Sequence, residues 1–192
     1  MTITNKQQLR AEALAARQRL SVAQRLLYSS KIIQRLQSYL REQEVPCESL
    51  LAYRSMPTEV NTDALFDSPE WTMFAPITHH HEHMEWRQVH RDTQWSRGVF
   101  GVLEPDGEVE WQAGAATTTL LCPLSAFDSM GNRLGMGKGC FDYWLASHRQ
   151  HIQQVIGLAF SCQQVARIPA ELHDVPMDMI ITEQEIITCP KR

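Results

Sequence analysis

The sequence predicts an α/β fold with some parallel strand pairs. Three observations carry this. Two amphipathic helical segments open the chain. Short apolar runs rich in β-branched residues follow. In the second half, strand-like and helix-like segments alternate, as strands joined by helical crossovers do. At 192 residues the chain has room for one buried core, so a single domain spanning 1–192 is expected.

The first helix is predicted over residues 4–19, with Leu9, Ala13, Ala16 and Leu20 on one face. Ser21 to Gln24 has capping-box spacing and opens a second helix reaching about Arg41, with Leu26, Leu27, Ile33, Leu36 and Leu40 as its apolar face. Residues 49–53 read as a short strand. Residues 71–77 and 84–90 read as two strands around a polar turn, and 117–124 as a buried strand. Phe141, Trp144, Leu145 and His148 fall at helical spacing, and 155–160 and 179–182 complete the strands.

The net charge of −4 does not suggest nucleic acid, but the charge is uneven. Residues 6–41 carry eight basic residues against one acid, Glu12, so this segment either faces an anion or forms a solvated helical surface. Five cysteines with no CxxC pair, and no secretory leader, imply free thiols in a reducing cytoplasm. No apolar run approaches the ~20 residues of a membrane span.

One stretch carries chemistry. In "GNRLGMGKGCFDYW", Gly131 to Trp144, four glycines, Arg133 and Lys138 precede a helix and follow a buried strand. Backbone N–H groups and a helix N-terminus receive phosphate in that arrangement. Lys138 is followed by Gly139, not Ser or Thr, and the glycine spacing is GxGxG, so neither the Walker A loop nor the dinucleotide fingerprint fits. Asp142 either favours the helix dipole or, beside polyphosphate, holds Mg²⁺. Asp174 or Asp178 could then supply a second oxygen.

The segment "CPLSAFDSMGNRLGMGKGCFDYWL" resembles the signature of the 5-formyltetrahydrofolate cyclo-ligase family, Pro-x-x-x-Phe-Asp-x-x-Gly-x-Arg-Leu-Gly-x-Gly-x-Gly followed by aromatics and Asp. "KQQLR", "YRSMPTEVNT", "FGVLEP" and "GLAFSCQQVARIPAELHDVPMDMIIT" are similar to family segments in the same order. The resemblance implies a mixed, mostly parallel sheet flanked by helices on both faces, with the N-terminal helical pair beside it. It implies ATP-dependent closure of 5-formyltetrahydrofolate to 5,10-methenyltetrahydrofolate, with release of ADP and phosphate. ATP and reduced folate would be the partners and Mg²⁺ the metal, with no nucleic acid, membrane or obligate protein partner.

The roles implied by resemblance follow the same segments. Lys6 and Arg10, one helical turn apart, would meet ATP phosphates. Arg133, Leu134, Gly135, Met136, Gly137, Lys138, Gly139, Cys140 and Phe141 would wrap the nucleotide, with Arg133 and Lys138 acting on the transferring charge. Asp142 and Asp174 would hold Mg²⁺, leaving Asp178 a strand-flanking surface acid. Arg54, Met56, Glu59 and Phe100 would form the folate pocket, the carboxylate suiting the donor-rich edge of a pterin and the ring offering a stacking face. Cys140-Phe141 replaces a more usual aromatic pair, Tyr143 stands where many relatives have arginine, and Arg54 where some have an apolar residue.

Other features read as structural. The histidines 79, 80, 81 and 83 fit an exposed turn, because adjacent histidines cannot all converge on one ion. Cys122 and Cys162 read as buried thiols and Asp128 as an Asx turn. The tryptophans read as packing, with Trp86 or Trp95 candidates to border the folate. Rival readings are a non-catalytic binder on the same fold, an isomerase or acyl-CoA transferase of similar architecture working without ATP, and an RNA-binding module using the basic helices.

Overall fold

The computed structural model describes residues 6–171 and 174–190. Two helices come first, α1 (Lys6–Gln18) and α2 (Val22–Arg41), then β1 (Ser49–Leu51) and the single-turn α3 (Asp63–Phe66). The hairpin β2 (Thr72–His80) and β3 (His83–Gln88) follows, then β4 (Trp95–Arg97), β5 (Leu103–Pro105) and β6 (Thr118–Cys122). The ribbon β7 (Ala126–Phe127) and β8 (Arg133–Leu134) leads into α4 (Cys140–His148), and β9 (Gln154–Leu158), β10 (Met179–Ile181) and β11 (Ile186–Thr188) complete the chain. Residues 4 and 5 of the predicted first helix lie outside the described residues.

Among the described residues, seven strands form one sheet in the order β11-β10-β9-β6-β1-β2-β3. The five inner strands are parallel, and β3 and β11 pair antiparallel at the two edges. Side chains alternate across the sheet as strand periodicity requires. Leu50, Ala52, Leu121, Ile156, Leu158 and Ile181 face α2 and α3, whereas Leu51, Leu120, Cys122, Val155 and Ile180 face α4. The inner strands are buried on both faces and read as continuous apolar runs for that reason.

The capping box forms as the sequence predicts: Ser21 Oγ accepts from the Gln24 N–H while Gln24 Oε1 accepts from the Ser21 N–H. The buried stripe of α2 is Ser29, Ile32, Ile33, Leu36 and Leu40; full burial of such an aliphatic side chain stabilises by about 1.5–3 kcal/mol. Leu26 and Leu27 are exposed, contrary to expectation, because α2 meets the protein only from Tyr28 and Ser29 onward. Helix α1 packs on the β7–β8 ribbon instead of the main sheet, with Leu9 and Ala13 against Ala126, Leu134 and Ile168.

Two further expectations are corrected. Cys162 is exposed, since the 3₁₀ turn over Ser161–Gln163 buries Gln163 and leaves Cys162 outward. Asp178 is no solvated surface acid: it accepts from Arg149 Nη2 at 2.7 and 2.8 Å and from the Val155 N–H at 2.7 Å. Cys122 is buried, and desolvation pushes its thiol up to about 11. Among the described residues no helix is long and apolar enough to cross a membrane.

Candidate active site

The strand order reverses between β1 and β6, which continue into different neighbours. Crevices outside the carboxyl ends of parallel strands at such a reversal are the usual ligand sites of open α/β sheets. Here the crevice is a cleft open to solvent. Its floor is Tyr53 and Arg54 after β1, and Pro123 and Leu124 after β6. The predicted residues Arg54, Met56, Glu59, Phe100, Arg133, Gly135, Met136, Lys138, Gly139, Cys140, Phe141 and Asp142 all line it.

The glycine loop is positioned from beneath. Asp128 is fully buried, and its carboxylate accepts from the N–H groups of Met130, Asn132 and Ile168. The Asx turn expected at Asp128 is therefore the knot that fixes the β7–β8 ribbon. Beyond β8 the chain runs through Gly137 (φ 91°) to Gly139 (φ 74°), the N-cap of α4. L-residues avoid that backbone region, so the glycines are required by conformation. No side chain caps α4, so its first N–H groups open toward the cleft with the positive end of the helix dipole.

Two loop cations differ in setting. Arg133 is buried, and its Nη2 donates to Asp142 Oδ1 at 2.8 Å. Its Nη1 donates to the Val175 carbonyl. The same Asp142 oxygen accepts from the Val175 N–H at 3.4 Å. Lys138 is exposed at the rim, its Nζ 5.7 Å from the centroid of Phe100. Phe100 lies on the β4–β5 connection and is half-buried, so it is cleft wall and not core.

Helix α1 braces the loop, but its Lys6 and Arg10, like Gly137 and Asp174, are not among the residues that line the cleft. Arg10 Nε donates to the Gly135 carbonyl at 2.7 Å, and its guanidinium lies beneath Gly137. Lys6 Nζ donates to Asp174 Oδ2 at 2.7 Å and lies 3.3 Å from Glu171. Burial lowers the affinity of Lys6 for its proton, but the hydrogen bonds to Asp174 and Glu171 outweigh this and leave its pKa raised. Leu134 faces away from the cleft, packed under α1, so its side chain is structural.

The far wall holds Glu59. Its Oε2 accepts from the Met56 N–H at 2.9 Å, and desolvation raises its pKa against the pull of that bond and of Arg17. Arg17 was not anticipated, yet a signal was there: Leu9, Ala13 and Arg17 recur every fourth residue, which puts a cation on the buried stripe of α1. Arg54 is bonded to Asp63 and its guanidinium lies 4.7 and 4.4 Å from the ring centroids of Phe66 and Trp95. Trp95 thus reaches the cleft only through Arg54. Trp86 reaches it only through an edge-on contact with Phe141. Cys140 lines the cleft half-buried, whereas Tyr143 is exposed and is not among the residues that line it.

The arrangement joins a cationic, amide-rich cradle to a wall offering one carboxylate and one aromatic face. Comparisons with known proteins agree on a single family. The 5-formyltetrahydrofolate cyclo-ligase of Haemophilus influenzae is 29% identical over 92% of this chain and 97% of its own. That of Mus musculus is 27% identical over 93% of both chains. The solution structure of Aquifex aeolicus 5,10-methenyltetrahydrofolate synthetase superposes with a TM-score of 0.77 at 27% identity, covering 97% of this chain and 94% of that one. The family model of the cyclo-ligases matches residues 2–183, which takes in every element of the cleft, and the chain therefore belongs to the 5-formyltetrahydrofolate cyclo-ligase family.

Proposed function

We propose that this chain closes 5-formyltetrahydrofolate to 5,10-methenyltetrahydrofolate at the expense of ATP, releasing ADP and phosphate. The observation that carries this is the convergence, in one cleft, of the glycine loop with Arg133 and Lys138 and of the wall formed by Glu59 and Phe100.

The chemistry explains why such a cleft needs no nucleophile of its own. A formamide is a poor electrophile, because its nitrogen donates into the carbonyl. Transfer of the γ-phosphoryl group to the formyl oxygen makes that oxygen a leaving group. The neighbouring folate nitrogen attacks the activated carbon, and the C–O bond breaks as phosphate departs. Both nucleophiles belong to the substrate, so the protein positions them and stabilises charge.

In this reading the first amides of α4 and of the loop receive phosphate oxygens. Lys138, exposed at the rim, approaches the transferring group, while Arg133, anchored below by Asp142 and Val175, presents a fixed charge. Arg10 braces the loop through the Gly135 carbonyl and, with Lys6, meets the outer phosphates. Glu59 accepts from the N–H edge of the pterin and Phe100 stacks on its ring. Asp142 and Asp174 suit Mg²⁺ as hard carboxylate donors, and the ion would displace the cation that each now faces, Arg133 or Lys6. Bound there, Mg²⁺ would neutralise phosphate charge.

The test is the near-ultraviolet absorption band of the methenyl product, followed with purified protein, 5-formyltetrahydrofolate and Mg²⁺, with and without ATP. An ATP-dependent rise is expected. ATP binding with no product would make the chain a binder on a catalytic fold, and product without ATP would remove the nucleotide from the reaction.

A further inference from the structure

The β2–β3 hairpin ends in His79, His80, His81 and His83, none of which serves the cleft. An even antiparallel ladder would pair His79 with His83 after Thr78 with Met84. The ladder instead passes from Thr78↔Met84 to His80↔His83, with a bulge between. A bulge sets two residues against one and re-aims a side chain. Despite the shift, His79 stays beside His83 and Glu85.

The result is compact. The His79 and His83 rings stand 4.6 Å apart between centroids, and His79 Nε2 is 3.3 Å from Glu85 Oε1. One ring nitrogen from each histidine and one carboxylate oxygen of Glu85 all lie within 4.8 Å of one another. Ligands bonded to a first-row ion at ~2.0–2.2 Å sit about 3.3 Å apart around a tetrahedron, so small side-chain rotations bring these three onto one ion. Adjacency argued against convergence in the sequence, but the converging pair is not adjacent: His80 and His81 stay out of the set.

We propose that His79, His83 and Glu85 form a binding site for a divalent first-row transition ion such as Zn²⁺, with water completing the coordination. Two imidazoles and a carboxylate select such an ion over Mg²⁺, which takes oxygen ligands. The site is therefore chemically distinct from Asp142 and Asp174. Both histidines are exposed, so an ion reaches them directly. Arg87 holds Glu85 Oε1 from the other side, at 2.8 Å through Nη2 and 3.2 Å through Nε. It orients the carboxylate and, by its charge, weakens the ion's hold. An ion here staples β2 to β3 beside Thr78, which lines the cleft.

The test is calorimetric titration of untagged protein with Zn²⁺, with Co²⁺ visible absorption reporting the coordination. One Zn²⁺ per chain is expected, undisplaced by excess Mg²⁺ and raising the melting temperature. His83→Ala should weaken binding by about tenfold or more, a loss at least as large as outer-shell changes cause. Glu85→Gln should also weaken it, Arg87→Gln should tighten it, and His151→Ala should change nothing. Cys140 and Cys162 are the accessible thiols, and thiolate competes with imidazole for Zn²⁺, so the double serine variant is the control. Failure to bind Zn²⁺, affinity unchanged in His83→Ala, or binding lost in the cysteine variant would overturn the site.

Discussion

Arg17 Nη1 stands 4.0 Å from Glu59 Oε1, and both side chains are buried, 4% and 7% exposed. Desolvation lowers the pKa of Arg17 and raises that of Glu59, so burial works against both charges at once. Arg17 Nε has no hydrogen-bond partner among the described residues. The pair is thus held by the fold and not the fold by the pair. We expect Arg17 to keep Glu59 ionised and aimed into the cleft. Arg17→Ala should raise KM for the folate while leaving KM for ATP nearly unchanged. It should cost about 3 kcal/mol in denaturant unfolding, the lower end for breaking a buried pair. An equal rise in both KM values would remove Arg17 from this role.

Glu59 carries a pH signature. A carboxyl whose folded pKa is raised binds its proton more tightly in the folded state. Its charging therefore costs stability, starting near the ordinary value of 4.5 and complete above the raised folded value. Glu59→Gln removes that cost. The melting temperature of the variant should gain on the wild type as pH rises through this window, while folate binding weakens. Parallel stability curves would show that Glu59 titrates alike in both states.

Lys138→Ala should lower turnover far more than stability. The side chain is exposed, and its contact with Phe100 is worth only ~0.5–1 kcal/mol to folding. Matched losses in melting temperature and rate would make Lys138 structural.

Asp142→Asn should raise the Mg²⁺ concentration needed for half-maximal rate, because the carboxylate both suits the ion and neutralises Arg133. An unchanged Mg²⁺ titration would leave Asp142 as an anchor for Arg133 and the α4 dipole.

Gly139→Ala should cost about 1–2 kcal/mol by thermal unfolding, for conformation alone: φ is 74° and no atom lies within 4 Å of an added Cβ. Gly135, equally open but without a positive φ, is the control, and Gly135→Ala should leave stability nearly unchanged.

Much of this was legible locally. Ser21 and Gln24 announce α2 because a capping box is a contact between near neighbours. The glycine loop reads as a cradle because strand, glycines and helix are consecutive. What was hidden depends on distant partners. Leu26 and Leu27 have apolar spacing but nothing lies beneath them. His79 meets His83 and Glu85 only once β2 and β3 pair across the hairpin. Arg17 gains its meaning from Glu59, far along the chain, and Asp178 from Arg149.

The most direct test of the central claim is the fate of the formyl oxygen. The substrate is labelled with ¹⁸O in the formyl group, turned over with unlabelled ATP, and the released phosphate is analysed by mass spectrometry. Phosphorylation of that oxygen predicts one ¹⁸O in each phosphate, matched to each methenyl product formed. Unlabelled phosphate formed alongside product would mean that ATP hydrolysis drives the closure by another route, and that the cradle does not deliver phosphate to the folate.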